Sequence, residues 1–196
     1  MPSIDFRCLA LCAMLAHAGC ASAPPDDTPN PNEYLDEQTG ATVTTVDKAL
    51  IFARDRSERA AKLRDYVTLA AASVNRGGKR EYVLIAYVWS TLDQRFEPAP
   101  PAADALVLVA DDRRIRLSAN GKSPADLGIA RPILAPPGQA VTPLVFPTDL
   151  DALRFIAAAR SLAMQTTVGA DTVSYELWDD QRAVLAQFVR FLNGER

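Results

Sequence analysis

The stretch that decides the fold reads DYVTLAAASVN at 65–75, RGGK at 76–79 and REYVLIAYVWSTL at 80–92. Both long runs are rich in the apolar, β-branched and aromatic residues that favour strands. Gly77 and Gly78, between them, can adopt the positive φ angles of a tight hairpin turn. The second run is apolar on both faces, which is typical of a central strand covered on both sides. The stretch therefore predicts a long β-hairpin at the centre of a sheet.

Shorter strand signals flank this hairpin. They are TVTTV at 42–46, ALIFAR at 49–54, ALVLVA at 105–110, RRIRLS at 113–118 and VTPLVF at 141–146. The third and fourth form a second hairpin across Asp111-Asp112, and the fifth is predicted to be an edge strand because Pro143 cannot donate to a ladder. Residues 57–64 fit either an extended lead-in or a short helix.

The last 50 residues change period. A helix is predicted with Leu150, Leu153, Ile156 and Ala157 on one face, begun by a capping pair of Thr148 and Asp151. Two strands follow, at 162–168 and 173–178, and then a helix capped by Asp179 or Asp180 with Val184, Leu185, Phe188 and Leu192 on one face. The sequence thus predicts a mainly β (α+β) chain, an antiparallel β-sandwich or barrel of about nine strands with two short helices near the C-terminus.

The order helix, strand pair, helix, with YELWD at 175–179 before the last helix, resembles the end of the invasion-associated locus B group of periplasmic proteins. The resemblance is confined to residues 147–196 and transfers no functional residue.

The N-terminus is typical of an export signal. Arg7 precedes the apolar run CLALCAMLAHA at 8–18, which is too short to cross a bilayer but suits a signal peptide. The sequence HAGC at 17–20 resembles the lipobox of bacterial lipoproteins in its last three residues, although His17 stands where a leucine is usual. Cleavage after Ala18 with plain secretion is the alternative.

The lipoprotein resemblance implies that residues 1–19 are removed and that Cys20 is lipidated, anchoring the chain in the bilayer. Ala21, in place of the aspartate that favours retention in the inner membrane, implies an outer-membrane position facing the periplasm. The whole chain is similar to uncharacterised envelope lipoproteins of proteobacteria. Residues 20–33 (CASAPPDDTPNPNE) are proline-rich with no large apolar side chain and are predicted to form a tether, followed by a single domain at 34–196.

Composition excludes several kinds of chemistry. The net charge of −3 gives no electrostatic footprint for nucleic acid. The single histidine, His17, and two of the three cysteines, Cys8 and Cys12, lie in the predicted signal, and Cys20 would carry lipid. The mature domain would therefore lack the imidazole and thiol of Ser-His-Asp and Cys-His catalysis and the usual ligands of zinc and copper. We predict no cofactor, no metal and no catalytic residue.

Two groups of side chains leave functional alternatives open, and two further motifs are given structural interpretations. The acids Glu81, Asp93, Glu97 and Glu176 are candidates for carboxylate catalysis, and a Ser-Lys dyad would need Lys48, Lys62, Lys79 or Lys122 to be buried beside a serine. Gly121-Lys122-Ser123 lacks the context of a phosphate loop and is interpreted as a turn. The cluster Arg113, Arg114 and Arg116 alternates with apolar residues and is interpreted as an ordinary arginine-rich surface.

The aromatic residues Tyr82, Tyr87, Trp89, Tyr175 and Trp178 either pack in the core or form a binding groove on one sheet face. The leading hypothesis is a non-catalytic binding or envelope-assembly module with an envelope protein as partner. The alternatives are a carboxylate-dependent glycan hydrolase and a carrier of small apolar ligands.

Overall fold

A computed structural model describes residues 31–56, 63–91, 104–136, 142–168 and 171–195. Within these ranges the strands are β1 (Asn32–Asp36), β2 (Ala41–Thr45), β3 (Leu50–Asp55), β4 (Arg64–Arg76), β5 (Lys79–Ser90), β6 (Ala105–Ala110), β7 (Arg113–Ser118), β8 (Leu144–Thr148), β9 (Leu162–Val168) and β10 (Asp171–Asp179). The helices are α1 (Leu150–Ala158) and α2 (Arg182–Leu192), with a short 3-10 turn at Ala125–Leu127.

The strands form one curled antiparallel sheet, a half-barrel, in the order β8-β5-β4-β3-β10-β9-β6-β7. At 13 residues, β4 is long enough to pair with both β3 and β2 along the same edge, and β1 extends the sheet outside β2. At the far end, β7 comes close to β8, but no ladder joins these two strands in the described residues. The mainly β class, the antiparallel architecture and the two short C-terminal helices are as predicted.

The central hairpin forms as the sequence indicates. Arg76 pairs with Lys79, so the loop consists of Gly77 and Gly78 alone, with φ angles of +59° and +86°. Such a turn needs positive φ at both central positions, which glycine adopts without steric cost. The middle of both strands is buried on both faces, as expected for the centre of the sheet.

The inner face of the sheet is covered by the two helices. It carries Leu69, Leu84, Leu108 and their cross-strand neighbours, and the helix side chains Leu153, Ile156, Val184, Leu185 and Phe188 are buried in the same cluster. Two contacts fix the helices there: Arg80 on β5 donates to the carbonyl of Leu192, and the Arg113 guanidinium lies 4.9 Å from the Phe155 ring centroid.

Among the described residues, the segment 119–136 that follows β7 covers the outer face, and it does so over β2, β4 and β5. Leu127, Ile129 and Ile133 of this segment are buried against it. The Tyr87 hydroxyl forms a hydrogen bond with the backbone of Ile133 at one end of the segment, and Thr39 donates to the carbonyl of Gly128 at the other. The outer side chains Ala70, Ala72, Val74, Val83, Ile85 and Tyr87 are consequently buried.

Three details differ from the prediction. The first strand was not predicted: β1 brings the described strands to ten, and it begins at Asn32, so the fold starts two residues inside the predicted tether. Its pairing with β2 is made by backbone groups, which the polar composition of residues 20–33 does not reveal. The edge strand β8 pairs only with β5 but begins at Leu144, and Val141 lies outside the described residues.

The helix caps also differ. The N-cap of α1 is Asp149, whose carboxylate accepts from the amide of Ala152, so the predicted pair of Thr148 and Asp151 is wrong. Thr148 cannot cap because it ends β8, opposite Tyr82. Gln181 holds the N-cap position of α2, while Asp180 accepts from the amide of Arg182.

Candidate binding site

A continuous row of side chains crosses the outer face where the covering segment does not reach. Residue by residue, the strand pairings join Arg114, Val109, Ala163, Glu176, Ala53, Tyr66 and Trp89, which we call the outer row. Directly opposite residues in a sheet share a face, so these seven side chains form one surface. At about 4.8 Å per strand the row extends roughly 30 Å along the curved sheet.

Aromatic side chains gather at the β4–β5 end of the outer row. The rings of Tyr66 and Trp89 stack with centroids 4.3 Å apart, and the Trp89 indole N–H donates to Thr68 at 3.0 Å. Trp178 meets Tyr66 edge to face at 6.3 Å and is 57% exposed. Offset stacks and edge-to-face contacts are the favourable geometries for aromatic pairs, so the cluster is internally stable while leaving Trp178 accessible.

Strand alternation explains the position of Trp178. It lies two residues after Glu176 on β10, and residues two apart on a strand share a face, so its indole lies on the outer side beside the outer row. The register of β10 against β3 shifts by one residue between Leu177 and Asp179, and Trp178 is the residue within this β-bulge.

A charged cleft adjoins the aromatic cluster. The Arg64 guanidinium lies 4.2 Å from the Trp178 ring centroid and pairs with Asp55 at 2.5 Å. Both residues line a surface cleft of about 220 Å³ together with Trp178 and Glu176. Glu176 is exposed and forms no ion pair within the described residues. The cleft thus offers an aromatic plane, a cation and carboxylate oxygens side by side.

A buried clamp supports this region from the inner face. Arg54 and Arg56 donate to the same oxygen of Asp65 at 2.6 and 2.7 Å, and the Asp65 side chain is fully buried. Burial alone would raise the pKa of Asp65, but the hydrogen bonds from Arg56 and Arg54 outweigh it and hold that pKa below its ordinary value. The clamp ties the end of β3 to the start of β4, directly beneath the cleft.

The predicted catalytic candidates are dispersed. Glu81 is paired with exposed Lys79 at 3.3 Å, on strand β5, whereas Glu176 lies in the cleft on β10. Asp93, Glu97 and Lys62 lie outside the described residues, as do Cys8, Cys12, His17 and Cys20. Lys48, Lys79 and Lys122 are all exposed, so in the described part of the chain no lysine is buried beside a serine.

The structure also describes the Gly121-Lys122-Ser123 motif and the arginine cluster of β7. Ser123 donates through its amide and hydroxyl to Asp126, each at 2.8 Å, which makes Gly121-Lys122-Ser123 the turn before the short 3-10 helix. In β7 the arginines alternate with buried Ile115 and Leu117.

Of the aromatic residues, Tyr87 and Tyr175 are buried, and Tyr82 and Trp89 are half-buried. Only Trp178 of the five is largely exposed, so core packing accounts for Tyr87 and Tyr175, while a binding role for Trp178 stays a prediction. Tyr66 and Arg64 were not among the site residues predicted from the sequence. A two-residue turn at Gly77-Gly78 places Tyr66 opposite Trp89, so the register of the hairpin was the signal that could have found Tyr66.

Comparison of the chain with protein-family models, with curated proteins and with solved structures gives no match. Across the described ranges, no helix is long and apolar enough to cross a membrane, and no three His, Cys, Asp or Glu side chains gather closely enough to hold a metal ion. The outer row and its cleft are therefore the features of the molecule that bear on its function.

Proposed function

We propose that this protein is a lipid-anchored binding module of the bacterial cell envelope, which contacts a protein partner through the outer row and Trp178. The carrying observation is the exposed indole of Trp178 next to Arg64, Tyr66 and Trp89, on the part of the outer face that segment 119–136 does not reach. Trp, Tyr and Arg are the residues most enriched among binding hot spots, because each offers a large contact area with a polar handle.

The partner is proposed to be a protein rather than a carried apolar molecule. A carrier would hold its ligand within the half-barrel, on the inner face. There Leu153, Ile156 and Phe188 are fully buried against the sheet and occupy that space. The accessible surface lies on the outer face, and its mixture of aromatic, apolar and charged groups is typical of protein interfaces.

The anchor is proposed from the resemblance of residues 17–20 to a lipobox. Because β1 begins at Asn32, residues 20–31 would link the lipid to the sheet. At about 3.1 Å per residue, an extended proline-rich segment of that length would allow the domain to stand roughly 3–4 nm from the bilayer. Loss of palmitate labelling in Cys20→Ala is the expected result, and unchanged labelling would refute the anchor.

Crosslinking in cells tests the binding surface. A photoreactive amino acid at Ser174, beside the cleft, is expected to capture an envelope protein in the otherwise unchanged chain. Trp178→Ala should reduce the yield of that adduct about tenfold or more, because hot-spot truncations cost at least about 1–2 kcal/mol. Phe191→Ala is the matched control, since Phe191 is also an exposed aromatic residue (41%) but lies on α2. Equal yields in all three proteins would refute the proposal.

A carboxylate-dependent glycan hydrolase is the second candidate, because Glu176 and Asp55 line the same cleft beside Trp178. A pair of carboxyl groups flanking a bound sugar is the minimum requirement for that chemistry. Asp55 is already engaged by Arg64, which favours a binding role. If the purified protein releases reducing ends from cell-wall glycan and both Glu176→Gln and Asp55→Asn abolish the release, the enzyme reading replaces the binding module.

A further inference from the structure

We infer that the partner presents an acidic amphipathic helix to the β7–β6–β9 end of the outer row. This inference rests on the proposed function and names the chemistry of the partner. Three features support it: the arginines Arg114 and Arg116 on β7, the valines beside them on β6, and the spacing between these positions.

The two arginines have no partner of their own. Arg114 and Arg116 are two residues apart on β7, so they lie on the same face, and both are exposed. Neither forms an ion pair or hydrogen bond within the described residues. Arg113, the first residue of β7, faces the inner side of the sheet and lies over the Phe155 ring of α1. Two cations therefore stand side by side on the outer face, and no acid among the described residues neutralises them.

An apolar strip runs beside these arginines. Val109 is directly opposite Arg114, and Val107 is directly opposite Arg116. Ala163 and Gln165 on β9 pair with the same two valines from the other side. All four side chains are half-buried, although no layer formed by the described residues covers them. A partner that fits must therefore pair an acidic row with an apolar row.

The spacing matches one face of a helix. Residues two apart on a strand are about 6.7 Å apart, and residues four apart on a helix are about 6 Å apart. A helix lying along β7 and β6 can place acidic residues i and i+4 against Arg116 and Arg114. Its apolar residues at i−1 and i+3 then lie nearly level with Val107 and Val109, in the way that amphipathic helices bind apolar surfaces.

The chain itself does not supply such a helix in its described residues. On α1 the acid Asp151 is already paired with Arg154, and α2 carries Arg182 and Arg190 with no acid in its first turn. A second copy of this protein is therefore a poor complement. An anionic lipid surface is also a poor fit, since Arg114 shares the outer row with exposed Glu176 and both arginines belong to a chain with a net charge of −3.

The test is photo-crosslinking in cells from a photoreactive amino acid at Gln165, in the full-length protein, with the adduct mapped by peptide sequencing. The charge-reversal variant Arg114→Glu/Arg116→Glu is compared with Arg154→Glu/Arg190→Glu. The control makes the same change in net charge on the helix side of the sheet. We expect the adduct yield to fall about tenfold in the first variant and to stay within about twofold in the second, because complementary charges set association rates.

Support requires that the crosslinked peptide be part of a helix with acids four apart and that reversing those acids restore the adduct with Arg114→Glu/Arg116→Glu. A peptide without that pattern, an adduct with a second copy or with lipid, or an equal yield in both variants would overturn the inference. The binding module itself would survive those results if Trp178→Ala still abolished crosslinking from Ser174. Absence of any protein adduct from both positions would refute the proposed function.

Discussion

The two halves of the outer sheet face are built from the same alternation of strand residues but differ in what lies on them. Over β4 and β5 the outward residues are small or apolar, as with Ala70 and Ile85, and the segment 119–136 buries them completely. Over β7, β6 and β9 the outward residues include Arg114 and Gln165, and no part of the described chain covers them. The difference teaches that one sheet face can serve both as core and as recognition surface, according to what the chain folds back over.

The largest effect is expected at the clamp of Arg54, Arg56 and Asp65, which ties the end of β3 to the start of β4. Asp65→Ala removes the acceptor that Arg54 and Arg56 share, so both guanidinium groups lose their ion pair with Asp65 beneath the cleft. Breaking a buried ion pair in this way costs about 3–5 kcal/mol in the free energy of unfolding, which urea denaturation measures. Asp151→Ala is the control. The Asp151 side chain is 89% exposed and pairs with Arg154, so its removal should change the free energy of unfolding by less than about 1 kcal/mol. A loss of less than about 1 kcal/mol for Asp65→Ala would contradict the stabilising role of the clamp.

Truncation of matched apolar side chains compares the halves directly. Ile85→Ala, on the covered half, should lower the free energy of unfolding by about 2–4 kcal/mol, because it leaves a cavity under segment 119–136. Val109→Ala, on the uncovered half, should cost less than about 1 kcal/mol, because its side chain is only half removed from water. Similar losses at both positions would show that the uncovered half is covered in solution.

A glycine pair probes how tightly the covering segment approaches the sheet. Gly128 has a φ of +86°, and a Cβ there would lie 2.5 Å from Arg76 Nη2 and 2.9 Å from Thr39 Oγ1. Gly121 has a similar φ of +72° with open space around it. Gly128→Ala is therefore expected to cost about 2 kcal/mol and Gly121→Ala about 1, the shared part being left-handed strain. Equal losses would mean that the segment lies further from β2 and β4 than the contacts indicate.

Acid should weaken the clamp. The pKa of Asp65 is lower in the folded protein than in the unfolded chain, so its stabilisation is complete above the unfolded value of about 4 and is lost as pH falls through the folded value. Asp65→Asn should flatten this part of the stability profile, measured by urea denaturation between neutral pH and pH 3. Asp111 supplies a comparison, since its pKa is lowered by amides of Ser161 and Arg160 far from the clamp. If Asp65→Asn and the unchanged protein lose stability in parallel, the clamp carries no charge-dependent stabilisation.

The smallest effect on folding is expected at Trp178. Because the indole is 57% exposed, Trp178→Ala should change the free energy of unfolding by less than about 1 kcal/mol, while it weakens binding of the protein partner. Calorimetry on the purified domain checks this. A loss of several kcal/mol would mean that Trp178 is a core residue and that its role in crosslinking is indirect.

The central hairpin was predictable because its signals are local. Two strand-forming runs and Gly77-Gly78 set the turn, and the turn sets the register that places Tyr66 beside Trp89. The helices were predictable from their period, although the cap moved to Asp149 because the preceding strand runs to Thr148.

The candidate site was less predictable because it depends on long-range pairing. The pairing of β10 with β3 brings Glu176 opposite Ala53, and no local pattern specifies that partner. The outward position of Trp178 follows from the strand alternation of YELWD, but its contacts with Tyr66 and Arg64 depend on the same long-range pairing. Whether the outer surface of β6 is covered depended on where segment 119–136 runs, which its composition does not state.

The pairing of β3 with β10 also has a consequence for the order of folding. The β4–β5 hairpin closes across two residues, an event that takes microseconds for isolated hairpins, whereas β3–β10 joins residues 51–53 to 176–179. Contacts so distant in sequence slow folding, because the intervening chain must be ordered before they form. We therefore expect the outer row to be the last surface to become continuous, so that a partner spanning both sides of that junction would recognise only chains that have finished folding.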